Sequence, residues 1–101
     1  MGALINETKR SLKEVLELLK QKIDETIIED RSIGISIETD FMNCLNRLYV
    51  EDYEVTNTQI YLSYDNLDIN ILFNENTEIV YEDEEEHFTI THNGASILLY
   101  V

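Results

Sequence analysis

The chain reads as an α+β domain: a long N-terminal amphipathic helix packed on an antiparallel β-meander of about four to five strands. Three observations predict this. Apolar residues recur at three- and four-residue spacings through the first third of the chain and at two-residue spacing from Thr58 onward. The segments between the later apolar runs are short and rich in Asn and Asp, as hairpin connections are. The helical period precedes the strand period, which gives a helix laid on a sheet rather than alternating βαβ units. With 101 residues, the chain forms a single α+β domain over 1–101, with room for one core.

Residues 4–29 carry the helical period. Leu12, Val15, Leu16, Leu19, Ile23 and Ile27 form one stripe, with Leu4, Ile5 and Ile28 near its edges. Unbroken, this helix would be about 39 Å long. Asn6, Thr8 and Ser11 are candidate caps. Ser11 and Glu14 fit a capping box, which either opens the helix or sits inside one that starts earlier. Lys9, Arg10, Lys13, Lys20 and Lys22 alternate with Glu7, Glu14, Glu17, Asp24 and Glu25 along it. Pairs such as Arg10–Glu14 and Lys13–Glu17 contribute only about a few tenths of a kcal/mol each. This segment is scaffold.

Arg31 to Glu38 alternates, with Ile33, Ile35 and Ile37 on one face, and reads as a half-buried strand. Residues 39–49 have two readings. Thr39 or Asp40 could cap a second short helix in which Phe41/Met42, Leu45 and Leu48/Tyr49 share a face, or a strand could run from Arg47 to Val55. Beyond Thr58 the period is two. Ile60, Leu62 and Tyr64 lead to a turn at 65–68, then Ile69, Ile71 and Phe73 to a turn at 74–77, then Ile79 and Tyr81 to an acidic run. Phe88 and Ile90 follow, then Asn93-Gly94, the strongest hairpin dipeptide in the chain, and finally Ile97, Leu99 and Val101. Tyr61, Leu72, Val80, Leu98 and Tyr100 point to the opposite face. Either that face is covered within the chain, or it meets a second copy in a homodimer.

Charge is divided unevenly along this framework. Residues 1–47 hold seven Lys and Arg against nine Asp and Glu; residues 48–101 hold twelve acids and no Lys or Arg. The net charge of −14 argues against nucleic acid and anionic membrane as direct partners and favours a cationic one. The single cysteine, Cys44, excludes an internal disulfide and a Cys-based metal cluster. Among Phe41, Met42, Leu45 and Leu48 it reads as a buried, inert thiol. No apolar run is long enough to span a bilayer and the N-terminus has no signal-peptide pattern, so the expected location is the cytosol.

Catalytic and metal chemistry find little support. An EF-hand loop started at Asp65 fails, because Leu67, Ile69, Asn70 and Asn76 stand where oxygen ligands, Gly and Glu are required. On one strand His87 and His92 face opposite sides and cannot share a metal. No Gly-x-Ser-x-Gly, His-Glu-x-x-His or Gly-rich phosphate loop is present. The expectation is a protein with no catalytic residues, no metal and no cofactor.

What remains is the negative field. Glu82, Asp83, Glu84, Glu85 and Glu86 are consecutive, with Glu75, Glu78, Asp65 and Asp68 nearby and Glu51, Asp52 and Glu54 upstream. Alternate residues of a strand are about 6.7 Å apart, roughly the contour spacing of nucleic-acid phosphates. Two carboxylates at that distance in water repel by about 0.6 kcal/mol before screening. Arginines of a nucleic-acid-binding protein would turn that repulsion into attraction. The competing reading is a solvated hairpin tip that guards an edge strand.

The segment Tyr81-Glu82-Asp83-Glu84-Glu85-Glu86 resembles an acidic stretch of the type II-A anti-CRISPR inhibitors of Cas9, and the chain as a whole resembles small acidic phage anti-CRISPR and anti-restriction DNA mimics. The resemblance implies a stoichiometric, phage- or mobile-element-encoded inhibitor that blocks an effector nuclease. It places Glu82, Asp83, Glu84, Glu85 and Glu86 where arginines otherwise read a protospacer-adjacent motif. An immunity protein or antitoxin capping a cationic nuclease toxin would use the same electrostatics. A homodimeric assembly protein would use the charge for solubility alone.

Overall fold

Ser11 opens the helix. Its hydroxyl accepts the Glu14 N–H and the Glu14 carboxylate accepts the Ser11 N–H, at 3.2 and 2.8 Å, which completes a capping box. In the computed structural model, which describes residues 10–101, α1 therefore spans Leu12–Ile28. Of the longer helix read from the sequence, residues 4–9, with Leu4, Ile5 and the candidate caps Asn6 and Thr8, lie outside the described residues. The far end closes in a Schellman arrangement. Arg31 N–H reaches Thr26 C=O, Asp30 N–H reaches Ile27 C=O, and Asp30 takes a left-handed φ of 55°. Val15, Leu16, Leu19 and Ile23 are buried as their spacing predicts, while Leu12 and Ile27 at the ends of the stripe are exposed. Thr26 is buried in their place, its hydroxyl donating to Ile23 C=O at 2.7 Å.

Eight strands follow, all paired antiparallel: β1 (Ile33–Glu38), β2 (Asn43–Leu48), β3 (Asp52–Val55), β4 (Gln59–Tyr64), β5 (Leu67–Leu72), β6 (Glu78–Glu82), β7 (His87–His92) and β8 (Ala95–Tyr100). The α+β class holds, but the strands outnumber the expected four to five and form two sheets. One is five-stranded in the order β2-β1-β8-β7-β6; the other is β3-β4-β5. The division falls at residues 73–77. Phe73 N–H still bonds back to Thr58 C=O, but the chain then leaves β5, and β6 pairs with β7 instead.

The inward parity is the one the sequence indicates. Ile60, Leu62, Ile71, Phe73, Ile79, Tyr81, Phe88, Ile90 and Leu99 join the helix stripe in one continuous core that draws on both sheets. Phe88, opposite Leu99 and with its ring centroid 4.6 Å from that of Tyr81, has no exposed surface. Truncating such a residue to Ala costs about 3–5 kcal/mol.

Residues 39–49 hold no helix. Thr39 N–H bonds Met42 C=O at 2.8 Å, Met42 N–H bonds the Thr39 hydroxyl at 3.1 Å, and β2 pairs with β1 from Asn43 opposite Glu38 to Leu48 opposite Ile33. The spacing of Phe41/Met42, Leu45 and Leu48 fits a helix face, but the tight turn brings the backbone back onto β1 and the ladder wins. The alternative strand from Arg47 to Val55 is interrupted between Leu48 and Asp52. This placement also corrects the reading of Cys44, which is exposed. It sits near the projecting hairpin end, where Phe41 is 90% and Leu45 64% exposed.

Candidate functional site

The acidic run is a hairpin connection. β6 ends at Glu82, β7 begins at His87, and Glu82 and His87 are paired across the ladder, leaving Asp83, Glu84, Glu85 and Glu86 as a four-residue loop. Glu86 N–H bonds Glu82 C=O at 2.8 Å, and Glu86 closes the loop at φ 56°. All five acidic side chains are exposed. Mutual repulsion selects such a site, since only a solvated turn lets the carboxylates splay apart.

One of the five is neutralised. The Arg10 guanidinium donates to both oxygens of Asp83 at 2.9 and 3.1 Å and holds that carboxyl below its usual range, while its own pKa is raised by the same bond. The charged groups of Arg10 and Lys22 also lie 5.4 and 5.6 Å from the ring centroid of Tyr81. The cation-free C-terminal half thus borrows charge from the N-terminal segment, which a count along the sequence does not reveal. Glu82, Glu84, Glu85 and Glu86 have no Lys or Arg ion pair among the described residues.

The remaining predicted acids separate by position. Cross-strand register puts Glu82 and His87 level with Tyr100, Gly34 and Arg47 at one end of the five-stranded sheet. Glu78, Thr91, Ser96 and Glu38 form a row at the other end. Asp65, at the tip of the β4–β5 hairpin with φ 54°, donates its N–H to the Glu51 carboxylate at 2.7 Å. The rings of Tyr49 and Tyr64 meet in a tilted contact, centroids 6.3 Å apart, which ties this tip to the end of β2. The Asp65 tip and the 83–86 loop therefore lie beyond the same end of the five-stranded sheet, on opposite sides. Glu75 and Glu78 belong to the far end.

Asp68 lies on the outward face of β5, where Tyr61 Oη donates to it at 2.8 Å and has its own pKa raised. Asp52, Ser63 and Asp68 are aligned across the three-stranded sheet, and Glu54 lies opposite Tyr61 in the next row. The outward face of that sheet thus carries Asp52, Glu54 and Asp68. Sequence reading ranked Asp52 and Glu54 behind the other acids, although their parity with Tyr53 and Val55 already marks them as outward.

No family model, curated protein or solved structure matches this chain. No group of three or more His, Cys, Asp and Glu among the described residues is arranged to hold a metal ion. A shallow depression of about 480 Å³ beside Leu12 and the 73–77 connection includes one acid, Glu75. No helix among the described residues is long and apolar enough to cross a membrane.

The outward apolar residues are divided between the two sheets. Tyr61 and Leu72 belong to the three-stranded sheet; Val80, Leu98 and Tyr100 belong to the five-stranded sheet, with Val80 and Leu98 half-buried among strand neighbours. Beside them, His87 is only 5% exposed. Its ring lies 5.0 Å from that of Tyr100, and its Nδ1 has no hydrogen-bond partner among the described residues, with the nearest Glu85 oxygen 3.7 Å away.

Proposed function

We propose that this protein is a non-catalytic inhibitor. It binds a basic nucleic-acid-binding protein through its acidic surface and occupies the path meant for nucleic acid. An effector nuclease of the Cas9 type is the target implied by the resemblance of the 81–86 segment. The observation that carries the reading is the 82–86 run at the end of β6 and its loop: five exposed carboxylates in succession, four without a Lys or Arg partner among the described residues. A carboxylate also stands at Glu86, where a left-handed backbone would sit more easily with Gly. Asp65 with Glu51, beyond the same end of the sheet, adds a second anionic group for an extended cationic groove.

Such a surface associates quickly and weakens with salt, because its attraction is charge–charge and partly counterion-driven. The test is a binding titration against candidate nucleases with and without competing DNA. The parent should bind, lose affinity steeply as salt rises and compete with DNA. The combined variant Glu82→Lys, Glu84→Lys and Glu86→Lys should lose binding. A triple variant that binds as well as the parent removes the 82–86 acidic run from the site.

A further inference from the structure

The five-stranded sheet is electrically lopsided. Its β6 edge carries Glu78 and Glu82 and leads into the acidic loop, and both edges of the three-stranded sheet carry acids, Asp52 and Glu54 on β3 and Asp68 on β5. The fourth edge is β2, Asn43-Cys44-Leu45-Asn46-Arg47-Leu48, which has no carboxylate and one cation. Among the described residues no strand pairs with its outer side. Native edges are usually blunted by charge, Pro or a bulge, and three of these four are guarded by acids.

Exposed apolar side chains gather at the same place. Phe41, Met42, Leu45 and Tyr49 all lie within nine residues around β2, and all are exposed. We infer that β2 is a self-association edge, which pairs antiparallel with β2 of a second copy about a two-fold axis at Leu45.

The register is self-complementary. With Leu45 opposite Leu45, Asn43 meets Arg47 and Cys44 meets Asn46, so no like charges face each other along the strand. Exposed Met42 comes over the end of the other copy's strand at Leu48, and Phe41 comes beside Tyr49. A two-fold axis normal to the sheet keeps the same face outward in both copies, so the outward side chains remain in register.

The register names the partner, and charge favours this edge. Two chains of −14 each repel, and self-pairing of β6 about Val80 or of β3 about Tyr53 would set carboxylates against carboxylates, Glu78 against Glu82 and Asp52 against Glu54. Joined at β2, the 83–86 loops stand at the far sides of the combined sheet. Each is four strand spacings, roughly 19 Å, from its own β2. The separation between loops is then several Debye lengths at physiological salt, where that length is about 8 Å. A six-residue strand pair is a small interface, so the association is reversible and concentration-dependent. It leaves the acidic loop uncovered and makes the assembly bivalent for a basic partner.

The test is the mass of the full chain in solution as a function of concentration and salt. The parent should reach twice the 11.8 kDa chain mass, and more readily as salt rises, the opposite of what the acidic surface predicts for a basic target. Leu45→Lys should stay at the single-chain mass with unchanged circular dichroism and thermal unfolding, because Leu45 is exposed. Leu72→Lys, on the outward face of β5, should still dimerise. Hydrogen exchange of the outward amides of residues 43–48 should slow as concentration rises. Several results overturn the inference: a parent that stays monomeric, a dimer that survives Leu45→Lys, open growth beyond two copies, or full protection of β2 in dilute monomer, which would mean this chain's own residues cover the edge. Since the salt responses are opposite, loss of self-association is distinguishable from loss of target binding.

Discussion

Arg10 and Asp83 are 73 residues apart in sequence and joined by two parallel hydrogen bonds, a fork-to-carboxylate contact that ties the segment before α1 to the acidic loop. Both side chains are solvent-accessible, so the contact orients the loop more than it stabilises the fold. Asp83 has its pKa lowered, first by the hydrogen bond and then by the charge of Arg10. A depressed carboxyl contributes above its unfolded value, about 3.9, and the contribution is lost as pH falls through the lower folded value. In Arg10→Gln the Asp83 titration followed by NMR should move up towards the ordinary range, with little change in thermal unfolding. The proposed inhibition should strengthen, since a fifth carboxylate becomes available. Weakened inhibition in Arg10→Gln would mean the partner reads an ordered loop, not its charge.

Tyr53 joins β3 to the helix, its Oη donating to Asp24 at 2.6 Å. Burial, then the hydrogen bond and charge of Asp24, push its pKa up to about 12. The neutral phenol is therefore the form the fold prefers. Its contribution is fully present below the ordinary tyrosine value, near 10, and disappears as pH rises through about 12. Tyr53→Phe should cost about 1 kcal/mol at neutral pH, and the alkaline loss of stability measured by urea unfolding should become shallower. An unchanged alkaline limb would assign it to other groups.

Much of this fold is legible in local chemistry. The capping box at Ser11 and Glu14, the alternation of Ile60 and Leu62, and Asn93-Gly94, both with positive φ, are short-range patterns that need no tertiary partner. The Phe41–Leu48 segment misleads because its apolar spacing fits a helix, while pairing with β1 is a non-local gain. The split into two sheets is hidden for a similar reason. Residues 73–77 have the composition of a hairpin turn, but whether β6 continues the sheet of β5 or joins another is decided by where β7 lies. The acidic loop could be found by counting charges. That Arg10 partly neutralises it, and that Asp65 lies beyond the same end of the sheet while Glu75 and Glu78 do not, could not.

Glu86 separates conformational from electrostatic roles in the loop. With φ at 56°, a non-Gly residue pays about 1 kcal/mol for the left-handed region, and glycine relieves it while adding flexibility to the unfolded chain. Glu86→Gly should raise stability by roughly 0.5 kcal/mol or leave it level, and it should weaken binding to a basic target. Greater stability with undiminished inhibition would show that Glu86 serves the turn alone.

His87 is the one buried side chain whose polar atom lacks a partner among the described residues, Nδ1 facing the Glu85 carboxylate at a distance too long for a hydrogen bond. An unmatched buried donor or acceptor typically costs about 1–3 kcal/mol. Replacing it with an apolar ring of similar shape removes that cost and keeps the packing against Tyr100, 5.0 Å away. His87→Phe should therefore be about 1 kcal/mol more stable than the parent in urea unfolding, with the acidic loop intact. If instead it destabilises, the Glu85–His87 contact is tighter in solution than the 3.7 Å separation implies. The imidazole would then be a structural support of the loop. Removing the carboxylate in Glu85→Gln should reproduce that loss if this is so, and leave stability unchanged if His87 is only an unsatisfied core residue.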